Sequence, residues 1–287
     1  MAVYRRGYQR YQGPNTGRWA RFMVMPRFTW RRLFQQRLVG LLLVVAMIWP
    51  VLCACFIYLT NHAELLKGLF DRGFASFIQA NGMFFMVFMD VQAAFAIFLA
   101  ALIGPGLIAP DLANNALPLY FSRPITRSDY ALARLLVLLG MLSLVTWIPG
   151  LLLFGMQVGM AGGPWFRENW TIGAGMFAGF AMWALLVSMV ALASSAYVRW
   201  RIVAGGLVLG FFFILSGASL MINGVFRVTW GHALNPAWAA YRVWCALLSV
   251  DPPNGPGTLE CALVLVAIIL LLALVLERKL RPVEVIS

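Results

Sequence analysis

The sequence has little with which to do acid–base or nucleophilic chemistry. Only His62 and His232 carry imidazoles, and only Lys67 and Lys279 carry amines. Both histidines fall between apolar runs, so no pair of imidazoles is placed to hold a haem across a bundle, and a membrane cytochrome is excluded. A serine inside a span would have no histidine or lysine to activate it, which argues against an intramembrane serine protease. Neither lysine belongs to a G-x-x-x-x-G-K-[ST] loop, so any ATP this protein uses must be bound by another chain. With no catalytic constellation, the chain is not read as an enzyme.

Thiols are scarce too. Cys53 and Cys55 lie inside the first apolar run, and the "CAC" spacing, without a histidine or third thiolate nearby, matches no zinc framework, so no metal site is expected. Cys245 and Cys261 fall near the opposite face, where an oxidising compartment would permit a disulfide; whether the two meet is open. Acidic residues number 10 against 22 basic ones, for a net charge of +12.

What fills the chain instead is apolar. Of 287 residues, 62% are hydrophobic and 11% charged, and the mean hydropathy is +0.83, far from a soluble domain. A helix crosses a hydrocarbon core of about 30 Å with roughly 20 residues. Six stretches qualify: Leu38 to Tyr58, Met83 to Ile108, Tyr130 to Met160, Trp170 to Val198, Ile202 to Ile222 and Leu259 to Leu276. The expectation is an all-α integral membrane protein of six transmembrane helices. Residues 1–37 form a basic tail and interfacial helix, and 38–287 form the membrane domain. The first run follows a long basic stretch without a small-residue cleavage site, so it is expected to remain as a helix rather than be removed as a signal peptide.

Charge sets the expected orientation. With the N-terminus cytoplasmic, all but Lys67, Arg72, Arg167, Arg227 and Arg242 of the basic residues fall on the cytoplasmic side. Both termini then face the cytoplasm. Arginines interleaved with tyrosines, as in "YRRGYQRYQGPNTGR", can bind nucleic acid. Next to a first span they serve orientation and anionic headgroups instead, so the membrane is the expected partner and nucleic acid is not. After Pro26, which suits a first helical turn, Trp30, Leu33, Phe34 and Leu38 recur at helical spacing, with Arg31, Arg32, Gln35 and Gln36 elsewhere. That pattern predicts an amphipathic helix in the headgroup layer leading into the first span; a plain basic anchor is the other reading.

Within the spans, Asp90 is the one carboxylate placed well inside, in "FMDVQAAF" with Gln92 nearby. A charge there costs roughly 2.5 to 3.5 kcal/mol, so it should face the bundle, a partner or water. A translocation-path role and a structural pairing both remain open for Asp90 and Gln92. The outer connection, 223–258, contains "HALNPAWAAYRVWCALLSV", whose Trp238, Tyr241, Trp244 and Leu248 predict an interfacial or re-entrant helix.

The inner connection, 109–129, reads differently. Pro105 and Pro110 with Gly104 and Gly106 should break the second helix as it leaves the membrane. Asp111 is then positioned to cap a turn through Leu112, Ala116 and Leu117. Thr126 and Asp129, three apart, spell a capping box for the third helix. Between them Leu117, Leu119, Tyr120, Phe121 and Ile125 sit among charges, an apolar surface suited to docking on a partner rather than to a plain solvated loop.

The run "APDLANNALPLYFSRPITRSDYALARLL" resembles the cytoplasmic segment between the second and third spans of type-2 ATP-binding-cassette transporter permeases. There a short acidic helix precedes a Ser-Arg-Pro-Ile-Ser/Thr-Arg run and a tyrosine opening the next span. The matching residues are Asp111, Leu117, Ser122, Arg123, Pro124, Ile125, Thr126, Arg127, Tyr130 and Arg134. Where that family often carries glutamates, this chain has Asn114 and Asn115. The resemblance is strongest over about 25 residues, and the six-span layout extends it loosely to the whole chain.

It implies a coupling helix, with Asp111, Leu117, Ser122, Arg123, Pro124, Ile125 and Arg127 contacting a separate ATP-binding-cassette ATPase that binds ATP and Mg. It further implies a second permease chain, identical or not, export of a substrate, and a bacterial cytoplasmic (inner) membrane. Two alternatives stand beside it: a non-transporting membrane anchor of a larger complex, and a proton-coupled secondary transporter working through Asp90. The latter calls for inverted internal repeats, of which the halves show no convincing sign. "LSGASL", Leu215 to Leu220, resembles only the start of an ATP-binding-cassette ATPase signature; inside an apolar run it reads as small residues at a helix contact.

Overall fold

A computed structural model describes residues 17–62, 80–114, 116, 126–198 and 200–279. Those residues form ten α-helices and two 3-10 turns: α1 (Arg18–Phe34), α2 (Arg37–Asn61), α3 (Gly82–Ile103), α4 (Ala109–Ala113), α5 (Arg127–Val145), α6 (Trp147–Ala161), α7 (Gly163–Tyr197), α8 (Arg201–Phe226), α9 (Pro236–Leu247) and α10 (Thr258–Lys279). The 3-10 turns cover Gly104–Gly106 and Trp230–Leu234, and no strand occurs among the described residues. Among the described residues, six segments are long and apolar enough to cross a membrane: Arg37–Asn61, Gly82–Ala113, Arg127–Ala161, Gly163–Tyr197, Arg201–Phe226 and Thr258–Lys279.

The spans are not equivalent. In α7, 67% of the apolar window is buried, against 22% in α2 and α8 and 17% in α10. The bundle is therefore built around α7, which packs on α3, α5, α6, α8, α9 and α10. The outer helices turn large apolar side chains outward, among them Val44, Ile48, Phe213, Ile214 and Leu270. Such a surface suits lipid tails and would be unfavourable in water.

Four local expectations are revised. The third span is interrupted: Thr146 has φ −108° and ψ −101° and separates α5 from α6. Pro149 explains the break, since it has no N–H to give the carbonyl of Val145 and its ring crowds that position. The fourth span starts at Gly163, not Trp170, because Gly162 with φ +86° ends α6 and Pro164 fits the opening turn of α7.

At the N-terminus the helix begins at Arg18, so Pro26 lies inside α1 rather than at its start. Pro26 is buried, and its packing offsets the lost hydrogen bond. Of the expected apolar quartet, Leu33 is buried and the Trp30 indole donates to the Val137 carbonyl at 3.1 Å, whereas Phe34 and Leu38 are exposed and Leu38 belongs to α2. Finally, Asp111 does not cap α4; it lies in that helix's first turn, and the cap comes from elsewhere.

The connection between α8 and α10 turns back into the bundle. Arg227 takes a left-handed conformation after α8, and Asn235 caps α9 by accepting from the N–H groups of Ala237 and Trp238. The Asn235 amide donates to Ser216 Oγ at 3.1 Å. Ser216 lies ten residues before the end of α8, roughly 15 Å back along it, so the chain folds back along α8 before α9 begins. Ser216 also belongs to "LSGASL", so that run contributes one contact between elements. Helix α9 then runs outward with Trp244 only 1% exposed, its ring between Phe180 and Trp183. Gly179 and Gly175 of α7 admit it: a Cβ at Gly179 would stand 2.7 Å from Trp244, and one at Gly175 2.5 Å from the Leu247 carbonyl oxygen. Cys245 and Cys261 are both buried and unbonded.

Candidate functional site

The chain leaves α3 through the 3-10 turn and the short helix α4 before the third span begins. A five-residue helix cannot hold itself, because nucleating a first turn is unfavourable and each end leaves backbone groups unpaired. Here Ser195, buried on α7, supplies the missing acceptor. Its Oγ takes the N–H groups of Ile108 and Ala109 at 3.2 and 3.0 Å, and its hydroxyl points to the Pro105 carbonyl at 3.4 Å. Ser194 bonds instead within its own helix, to the Val190 carbonyl at 2.8 Å.

This positioning aims Asp111 at α5. Its Oδ2 accepts from the Tyr130 hydroxyl at 2.7 Å and from Arg134 Nη2 at 2.5 Å. Tyr130 and Arg134 are four residues apart, on one helical face, and the Arg134 guanidinium also lies 5.1 Å from the centre of the Tyr130 ring. Tyr130 is fully buried and Arg134 is 8% exposed. The other arm of Arg134 donates to Thr29 Oγ1 at 3.4 Å, while that hydroxyl donates to the Met25 carbonyl. One carboxylate thus ties together α1, α4 and α5. A buried pair with added hydrogen bonds adds little net stability, but removing one partner strands a charge. The cluster holds three elements in register and has no nucleophile or acid–base pair poised for chemistry.

The start of α5 is equally well defined. Thr126 Oγ1 accepts from Asp129 N at 3.2 Å, and Asp129 Oδ2 accepts from Thr126 N at 3.2 Å, the capping box legible in the sequence. Arg127 is exposed in the first turn and borders a cavity of about 420 Å³ with Leu132, Leu135, Met189 and Leu276. Leu117, Ser122, Arg123, Pro124 and Ile125, with Asn115, lie outside the described residues. What is described are the two flanks of the segment: Asp111 behind it, Thr126 and Arg127 ahead of it.

The structure separates Asp90 from Gln92. Gln92 is fully buried and its amide donates to the Ala46 carbonyl of α2 at 3.0 Å, so it fastens α3 to α2. Asp90 is exposed on another face of α3, in line with Met83, Val87 and Phe98.

Thr29 and Ser195 were missed by sequence reasoning. Ser195 had a faint signal, as half of a Ser-Ser pair in a long apolar run, where a polar side chain commonly bridges to another helix. Thr29 had none. No protein-family model matches this chain, and no curated protein matches it either.

Proposed function

We propose that this chain is the membrane permease subunit of an ATP-binding-cassette transporter, exporting a substrate across a bacterial cytoplasmic membrane with ATP hydrolysed by a separate subunit. The observation that supports the reading is the clamp between the flanks of 114–126: Asp111 on α4 is bound to Tyr130 and Arg134 on α5. A force applied to the residues between them is delivered to the second and third spans together, and through Thr29 to α1 as well. That is what a docking element needs if it is to move spans as rigid bodies.

In this reading the basic residues place both termini and 109–129 on the cytoplasmic side, and α1 lies along that face with Trp19 and Phe28 exposed toward the headgroups. Asp90 supplies the second half of the argument. An exposed carboxylate on a span is stable only against water or a partner. A second permease chain facing α3 would place Asp90 on the pathway between the two copies.

The test is affinity purification of the chain from its host in mild detergent, with and without Arg123→Ala and Arg127→Ala. Recovery of an ATP-binding-cassette ATPase at one copy per permease, reduced by the double substitution, is the expected result. Recovery with structural or redox subunits and no ATPase overturns it.

A further inference from the structure

Two arginines line one groove at the end of the bundle where α3 finishes, a groove that the proposed transport role does not use. The groove, about 630 Å³, lies where α2 and α8 begin and α3 ends. Arg37 and Arg201 line it with Gln36, while Leu38, Leu102 and Ile202 form apolar walls continuing along the spans. Among the described residues no carboxylate lines it. Among the described residues neither guanidinium has an ion-pair or hydrogen-bond partner. The Arg201 guanidinium is laid close over Gly106, where a Cβ would stand 2.8 Å from its Nη2, so it packs against the 3-10 turn.

Two like charges gathered in one concavity repel each other unless an anion joins them. The apolar walls rule against a small soluble anion as the natural occupant, because they would be left wet. We infer that the groove binds one anionic phospholipid, its phosphate held between Arg37 and Arg201 and an acyl chain lying against Leu38, Leu102 and Ile202. Basic pockets between spans bind such headgroups, and guanidinium suits phosphate because it offers paired N–H donors in a plane. Both helices open at the groove without a side-chain cap, so their first N–H groups add positive potential to that of the arginines. The site is independent of the ATPase reading; it rests only on the six apolar helices lying in a membrane.

The experiment is native mass spectrometry of the delipidated full chain, titrated with phosphatidylglycerol, with phosphatidylcholine, and with phosphatidylglycerol in the presence of inorganic phosphate. One saturable phosphatidylglycerol adduct is expected, preferred over phosphatidylcholine and unaffected by inorganic phosphate. Arg37→Gln with Arg201→Gln weakens it roughly thirtyfold. Arg37→Lys with Arg201→Lys retains the charge and most of the binding, and Leu102→Trp blocks the groove with both arginines present. Arg127→Gln, another exposed arginine bordering a cavity, leaves the adduct unchanged. Equal binding of both lipids, indifference to the glutamine pair or to Leu102→Trp, or displacement by inorganic phosphate each overturns the site. So does a dimer that takes up no phosphatidylglycerol, since a second copy then occupies the groove.

Discussion

Two carboxylates on neighbouring elements of this chain have opposite surroundings. Asp111, at the end of the second span, is enclosed by a phenol, a guanidinium and, one residue further out, a threonine. Asp90, two turns into the same span from its other end, is exposed on the helix face beside Val87 and Phe98. A charge in or near hydrocarbon must be neutralised somewhere. Asp111 is neutralised by its own chain, while Asp90 has no ion pair or hydrogen bond among the described residues.

The sharpest way to break this contrast is to strand the first carboxylate. Arg134→Leu leaves Asp111 buried without its cation and is expected to destabilise the protein by about 3 to 5 kcal/mol, seen as a lowered thermal unfolding midpoint in detergent. Asp111→Leu added to Arg134→Leu removes both charges and restores most of the loss. A double variant as unstable as the single one would show that the cluster acts by shape and not by charge.

At Asp90 the sign should reverse. Asp90→Leu removes the cost of a charge that has no partner among the described residues, so insertion of α3 is expected to become more favourable by about 2 to 3 kcal/mol in a translocon insertion assay. Transport, or association of two copies, falls at the same time. If insertion is unchanged, Asp90 already has a satisfied environment and the distinction between the two carboxylates fails.

The contrast also marks what was legible in the sequence. Six spans were readable because hydropathy over about 20 residues is a local sum, and the capping box because Thr126 and Asp129 are three apart. Helix α9 was half readable: its aromatic spacing announced a helix, but only the bond from Asn235 back to Ser216 shows that the chain folds back along α8 before it. The partner of Asp111 was within reach, because Arg134 is a cation inside an apolar run that shares a face with Tyr130 and needs an acid. The resemblance assigns Asp111 a contact with an ATPase; within the chain its carboxylate is bound to Tyr130 and Arg134. The cap on α4 from Ser195 lies 86 residues away in sequence and no local pattern encodes it.

That cap gives a smaller test of the Asp111 region. Ser195→Ala removes the acceptor for two buried N–H groups, and a loss of about 1 kcal/mol is expected. Because α4 carries Asp111, the loss should be non-additive with Arg134→Leu in a double-mutant cycle. Additive effects would mean that α4 keeps its place without its cap and that the carboxylate is held by α5 alone.

The smallest change in stability falls at Thr126, and it discriminates most between fold and function. Thr126→Ala removes one half of an exposed capping box, costing about 0.5 to 1 kcal/mol, barely visible as a shift in the unfolding midpoint. Yet Thr126 fixes where the third span begins. If 114–126 passes force to the spans, loosening its forward anchor lets the first turn of α5 fray and absorb the displacement before it reaches Tyr130. ATPase activity of the assembled complex should then persist while its stimulation by substrate falls several-fold, and Thr126→Ser, which keeps the hydroxyl, should restore the coupling. Equal loss in Thr126→Ser and Thr126→Ala would mean that the methyl group, by its packing, matters more than the cap, and that force enters the bundle through Asp111 on α4.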